Sequence, residues 1–232
     1  MEENKPKRYR RKKADLEADI IKSAESLIKK KGFSAMLVTD LIKKARIEPP
    51  VFYNRYNNLS EFFDDFVKRY DYWFKDLLDS NTVSAVSADG YAAILQNLHR
   101  ALGDRSVMLE LLRWEVAEGN DTTERTSMLR EFHTLPLVRS YEREFGDTGV
   151  DINAISALII GGIYYLNLHR DRSPFGQIDL NTPEGKERVD KALGTLAQML
   201  FEKKEEYDYK ASIADRLRSR GVSEEIIGEC LA

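Results

Sequence analysis

The sequence predicts an all-α fold, and three observations predict it. Apolar residues recur at spacings of three and four along most of the 232-residue chain. No sustained apolar/polar alternation occurs, and no Asn-Gly or Asp-Gly turn joins two alternating runs. Helix start and stop signals punctuate the chain, with acids or proline at one end and lysines or glycine at the other. A hydrophobic fraction of 42% and a charged fraction of 32% supply a core and a solvated surface.

The first helix carries Leu16, Ile20, Ala24, Leu27 and Ile28 on one stripe. Asp15, Glu17 and Asp19 near its start and Lys29, Lys30 and Lys31 near its end oppose the helix dipole, and Gly32 supplies a left-handed cap. A second helix is predicted over roughly 36–45, with Leu41, Ile42 and Ala45 inward. Pro49 and Pro50 stop it and launch a third, from Pro50 to Tyr56, because proline is tolerated in a helix's first turn. Glu48 is placed to cap that helix as an anion. Val51 and Phe52 include its inward anchors, while Tyr53, Asn54 and Asn57 point out. A short helix, a turn and another short helix braced by a longer one make a helix-turn-helix plan.

Ser60 reads as the cap of a long fourth helix, whose Phe62, Phe63, Phe66, Val67, Tyr70, Trp73, Phe74, Leu77 and Leu78 recur at helical spacing. The small-residue stretch 80–89 is the best candidate boundary. Further helices are predicted over about 90–103, 105–118, 123–145, 151–170 and 183–206. Pro136 is expected to kink or break the third of these. Thr182-Pro183-Glu184 reads as cap, first-turn proline and first-turn acid. Residues 207–232 read as two short helices joined at Arg220-Gly221-Val222, the second capped by Ser223. So small a hairpin must dock, either on the protein's own dimer or on a partner protein. The domains predicted are a basic flexible arm (1–13), a helix-turn-helix domain (14–60), a helical body (61–206) and the C-terminal hairpin (207–232).

Charge divides the chain. Residues 1–56 carry 15 Lys and Arg against 8 Asp and Glu, and the remainder 21 against 31. A basic head on an acidic body predicts that the head alone meets a polyanion. The arm KPKRYRRKK (5–13) is suited to tracking a phosphate backbone or entering a minor groove. No apolar run reaches the ~18 residues of a membrane span, so no membrane partner is expected. The densest, ISALIIGGIYYL (155–166), suits a buried helix or an interface. A lone cysteine, Cys230, excludes an internal disulfide and fits a reducing, cytoplasmic compartment. Catalysis is not expected: His99, His133 and His169 are isolated, and no HExxH, phosphate-cradling glycine loop or GxSxG elbow is present. No cofactor and no metal is expected.

Within VTDLIKKARIEPPVFYNRYNNLSEFF, the pair Asp40-Leu41, Ala45, Ile47, Phe52-Tyr53, Tyr56 and Phe62-Phe63 fall at linked offsets that resemble the TetR family of bacterial transcriptional regulators. The resemblance covers about residues 14–74. It implies a three-helix DNA-binding head, a long connecting helix and a helical body that binds ligand and dimerises. Two positions depart from the family pattern. Arg46 stands where glycine is usual in the turn, and Leu59 where a phosphate-holding lysine usually opens the fourth helix.

The resemblance places the third helix in the DNA major groove, its orphan N–H groups favouring a nearby phosphate. The DNA-binding candidates are Thr39, Arg46, Glu48, Pro49, Pro50, Val51, Tyr53, Asn54, Arg55, Tyr56 and Asn57. Thr39 and Arg55 suit phosphate, Arg46 an extra phosphate contact, Asn54 and Asn57 adenine edges or backbone, and Val51 a thymine methyl. Tyr53 is the better tyrosine for DNA and Tyr56 the more core-like. The ligand-pocket candidates are Leu95, Met108, Leu112, Trp114, Tyr141 and Tyr165. The predicted function is a regulator, most readily a repressor, that binds a (pseudo)palindromic duplex operator as a homodimer through helices about 151–170 and 183–206. A small-molecule effector in the body would release it. The alternative is a TetR-like protein acting mainly through protein contacts, its DNA affinity weakened by Leu59.

Overall fold

The computed structural model describes residues 12–70, 73, 86–146 and 148–231. Regular structure among them is helical apart from one isolated pairing of Phe175 with Ile178. The described residues separate into two compact units, one within 1–71 and 105–129, the other within 72–104 and 130–232. Residues 105–129 thus join the head, a grouping that a domain boundary at 60/61 does not contain. The basic arm (all but Lys12 and Lys13) and the fourth helix's continuation through Phe74, Leu77 and Leu78 lie outside the described residues.

In the first unit, α1 (Lys13–Lys31) buries Ile20, Ala24 and Ile28 at four-residue intervals and ends on Gly32, whose φ of 77° suits glycine. Next come α2 (Val38–Ala45), α3 (Pro49–Tyr53), α4 (Leu59–Val67) and a 3-10 turn (Lys68–Tyr70). α2 sets Leu41 and Ala45 against α1. α4 buries Phe62, Phe63, Phe66 and Val67. Its cap is Asn58, which accepts the Glu61 N–H at 2.9 Å, and not the predicted Ser60, which lies inside the helix. The Asn-x-x-Glu spacing is the capping-box signal, two residues upstream of the serine.

The second unit contains α5 (Ala88–Asp104), most of α7 (Asp121–Phe145), α8 (Ile152–His169), α9 (Pro183–Arg218) and α10 (Glu224–Leu231). α6 (Ser106–Ala117) and the first turns of α7 belong to the head unit. α5 is central, with α9 and α8 packed on it. Pro136 does not break α7, which runs 25 residues with the proline inside. Thr182 caps α9 as expected, accepting the Gly185 N–H at 3.0 Å. A Cβ at Gly185 would lie 1.9 Å from the Asp179 carbonyl oxygen, so only glycine fits there.

α9 does not stop at 206. Ion pairs of Lys203 and Lys210 with Glu206, of Lys204 with Asp208 and of Arg218 with Asp215, at three- and four-residue spacing, line the polar stretch through which it runs on to Arg218. The first helix of the predicted C-terminal hairpin is therefore the end of α9. The second, α10, folds back on α9 itself, with Ile227 and Ala214 buried and Arg218 bidentate on Glu224.

α8 overturns the expectation about spanning length. It is 18 residues with a mean hydropathy of 1.3, long and apolar enough to cross a membrane by length and composition. The count of uninterrupted apolar residues missed this because Asn153, Ser156 and Asn167 interrupt the run. Only 17% of it is buried. Its inner face is tied to α5 by polar bonds, Tyr91 to Ser156 at 2.7 Å and Asn167 to His99 at 3.2 Å.

The second bond fixes the protonation of His99. The Asn167 amide nitrogen also donates to the Ile163 carbonyl at 2.9 Å, which can only accept, so that nitrogen faces His99 as a donor. His99 Nδ1 is then an acceptor, and the ring is neutral. Burial pushes the His99 pKa below its usual value, Arg100 and Lys186 reinforce this, and Asp190 opposes it. The unfolded chain therefore takes up a proton near pH 6.5 that the folded chain refuses. This contribution to stability is complete above that pH and is lost as pH falls below it. In thermal melts between pH 7 and pH 5, the wild type should lose more Tm than His99→Gln, which keeps a neutral polar group beside Asn167.

Candidate nucleic-acid interface

α2 ends in a left-handed residue. Arg46 has φ 53° and ψ 50°, and the Ile47 N–H reaches the Ile42 carbonyl at 3.1 Å. That six-residue closure is the Schellman turn, in which glycine is the least strained occupant. The departure from glycine seen in the sequence thus falls on a position where a side chain carries strain. At the other end of α2, Asp40 accepts the Leu37 N–H at 3.0 Å and pairs with Lys31. The Lys31 bond first, then the Leu37 N–H, hold its carboxyl below the usual range. Asp40 therefore fixes where α2 begins, leaving Thr39 exposed in its first turn.

α3 spans Pro49–Tyr53, shorter than the predicted Pro50–Tyr56 and started one residue earlier. Asn54 is its C-cap, with its N–H on the Pro50 carbonyl at 3.0 Å. Two expectations about its start fail for one reason. Prolines at its first two positions have no N–H, and the Val51 N–H is already bonded to the Glu48 carbonyl at 2.9 Å. The first three positions of α3 therefore offer no free donor to a phosphate. Glu48 stands at the cap position, yet its side chain makes no capping hydrogen bond.

Phe52 is fully buried and Val51 half-buried, while Pro49, Pro50, Tyr53 and Asn54 share the exposed face. Tyr53 is 53% exposed, with its ring edge-on to Phe52 at 5.4 Å. Tyr56 is instead part of the packing. Its ring meets Phe62 edge-on at 5.2 Å and its hydroxyl donates to Asp65 at 3.1 Å. Burial, reinforced by the Asp65 charge, pushes its pKa up to about 12, so it stays a protonated donor.

Arg55 folds back to donate to the Val51 carbonyl at 2.7 Å. Asn57 gives both its backbone N–H and its side-chain amide to one oxygen of Glu61, each at 2.8 Å. Glu61 escaped the sequence reading, and the signal that finds it is the capping spacing from Asn58. The exposed polar candidates without such ties are Thr39, Glu48, Tyr53 and Asn54, and of these Glu48 is an anion that a phosphate would not approach.

The pocket candidates divide between the units. Met108, Leu112 and Trp114 are buried in the first, where Trp114 stacks on Phe33 with ring centroids 4.7 Å apart. Leu95 and Tyr141 are buried in the second, the latter edge-on to Tyr91. Tyr165 is 48% exposed and stacks on His169.

No family model and no curated protein sequence matches the chain. Solved structures do. A TetR-family regulator from Streptomyces coelicolor matches with a TM-score of 0.55 at 17% identity, over 77% of this chain and 88% of its own. The fatty acid degradation regulator FadR from Bacillus halodurans matches with a TM-score of 0.56 at 16% identity, over 77% and 97%. Bacillus subtilis FadR in complex with stearoyl-CoA matches with a TM-score of 0.55 at 15% identity, over 76% and 97%. The chain therefore has the fold of TetR-family regulators.

Replacing Arg46 with glycine relieves the left-handed strain. Arg46→Gly should raise stability in urea denaturation by about 1 kcal/mol. A loss of stability would show that the arginine side chain contributes more than its backbone costs.

Proposed function

We propose that the chain is a transcriptional regulator that binds duplex DNA through the exposed face of α3 and the start of α2. The observation that carries this reading is Tyr53 and Asn54 exposed on a helix whose opposite face is anchored by fully buried Phe52. A reading surface needs this combination of free polar groups on a fixed mount. Tyr53 would donate to a phosphate, Asn54 would reach a base edge or the backbone, and Thr39 in the first turn of α2 would take a second phosphate. Exposed Lys43 and Lys44 on α2 add to the positive field. Arg55 and Asn57 position the head by the bonds that tie them.

The protein acts in the cytoplasm as a homodimer, which matches a (pseudo)palindromic operator. What supports the dimer is the outer side of α8, where Ala154, Ala157, Leu158, Gly161, Gly162 and Tyr165 form an exposed stripe at helical spacing. A Cβ added at Gly161 or Gly162 would meet nothing within 4 Å, so packing inside the chain does not require them. Leu196 and Met199 of α9, also exposed, extend the apolar surface. A second copy accounts for a face whose other side is held to α5 by polar bonds. Repression relieved by a small molecule bound in the second unit is the mode we assign. The stearoyl-CoA held by the Bacillus subtilis relative's structure is the precedent for such a ligand.

Fluorescence anisotropy on the protein's own upstream DNA, against scrambled duplex and across a salt series, tests the DNA reading. Binding should fall steeply with salt and favour the upstream sequence by ~10³-fold or more. Tyr53→Ala should weaken it by roughly 10-fold. Equal weak binding to both duplexes, unchanged in Tyr53→Ala and in fragments selected from the genome, would transfer the function to protein contacts. Leu158→Arg tests the dimer. Sedimentation should show the wild type at twice the 26.7 kDa chain mass and the variant at the chain mass.

A further inference from the structure

We propose that the second unit holds a binding site for a small carboxylate- or phosphate-bearing anion where α5, α8 and the start of α9 converge. A cavity of about 220 Å³ lies there, lined among others by His99, Arg100, Asp104, Asn167, Arg170 and Lys186. Its wall is predominantly cationic. Arg100 is matched by Asp190, its Nε 2.9 Å from the carboxylate. Arg170 is paired at longer range with Asp171, which lies outside the lining, and Lys186 forms no ion pair among the described residues. Asp104 is the one carboxylate among the described lining residues.

Arg170 is already oriented for a ligand. Its Nη1 donates to the Gly103 carbonyl at 2.8 Å, closing the end of α5, and its side chain is 17% exposed. Its buried Nε makes no hydrogen bond, and the Asp171 carboxylate stands 3.8 Å away. A guanidinium has five N–H donors in a fixed fork, so anchoring one leaves the rest aimed. Lys186, in the first turn of α9, is exposed and forms no ion pair among the described residues. The buried Nε of Arg170, which has no hydrogen bond, and the ammonium of Lys186, which has no ion pair among the described residues, are the two donors an added anion would take.

The remaining wall is neutral. His99 is held uncharged by its Asn167 bond, so it adds no repulsion between cations. A volume of 220 Å³ equals about seven waters. That suits phosphate or a carboxylic acid of a few carbons, and it is below the ~300 Å³ at which drug-sized pockets begin. None of the six ligand-pocket candidates read from the sequence lines this cavity. The proposal does not depend on DNA binding.

Thermal melts of the full chain test the proposal, with inorganic phosphate, acetate and malonate each added at constant ionic strength against chloride. At tenfold the dissociation constant, one of these anions should raise Tm by about 3 °C. The phosphate and carboxylate arms distinguish the two ligand classes. Lys186→Gln should melt with the wild type in chloride and bind the stabilising anion at least ~10-fold more weakly. Arg170→Lys, which keeps the charge and loses the fork, should weaken it as well. No Tm rise with any of the three anions overturns the proposal. So does a rise unchanged in Lys186→Gln, which would mark a general salt effect.

Discussion

The head depends on one chain of aromatic contacts. α3 has five residues, far below the ~12–15 at which an isolated helix begins to hold itself. Its place is set by Phe52, whose ring lies 6.0 Å from Phe62 and 5.5 Å from Tyr56. Phe62 meets Phe63 and Phe66, both meet Phe33, and Phe33 stacks on Trp114 of α6. Each fully buried ring is worth about 1.5–3 kcal/mol of burial, and favourable ring pairs add roughly 0.5–1.5 kcal/mol. The succession begins at Tyr53, so the exposed tyrosine stands at the end of the packed core. This is why residues 105–117, remote in sequence, belong to the same compact unit as the helix-turn-helix.

The second unit is organised differently. α5 is its hub, and polar bonds set the orientation of what packs on it. Tyr91 holds α8 through Ser156, His99 holds it through Asn167, and Gln96 donates to the Asp190 carbonyl of α9 at 2.9 Å. Buried polar pairs of this kind specify a register, because a slipped helix would leave each group without its partner. Apolar packing fills the spaces between them, as where Phe201 meets Phe145 edge-on at 5.1 Å. The side of α8 turned away from these bonds then presents its small and apolar residues outward.

Much of this was legible in the sequence because it follows from local rules. Helical periodicity, the glycine cap of α1, the Thr182-Pro183 start of α9 and the packing of Phe62, Phe63 and Phe66 all depend on neighbours within a turn or two. What escaped depends on contacts that spacing does not encode. Gly185 is required by the Asp179 carbonyl, a loop atom six residues upstream. Nothing local to Trp114 shows that Phe33 will stack on it. The Arg55 bond to the Val51 carbonyl exists only once α3 has formed. The extent of α9 was hidden by a polar stretch, where ion pairs rather than an apolar stripe continue the helix. The Asn58 cap is legible in its spacing from Glu61, although Ser60 two residues on is as good a capping residue by type.

The tied and untied side chains of the head reveal a division of labour that composition alone conceals. A group that fixes the backbone by a short hydrogen bond has fewer donors and acceptors left for a base, and less freedom to reach one. Asp40, Arg55, Tyr56 and Asn57 are committed in this way, three of them to partners within one or two turns. Their cost is already met by folding, and what they return is a rigid platform. A polar group left exposed on that platform loses little conformational freedom when it meets a ligand, because its backbone is already ordered. Thr39, Tyr53 and Asn54 are in that position. On the DNA reading proposed above, so small a free set on so rigid a mount would draw affinity from the surrounding positive charge and selectivity from a few directed contacts. That is the balance of backbone positioning and base readout found in nucleic-acid recognition generally.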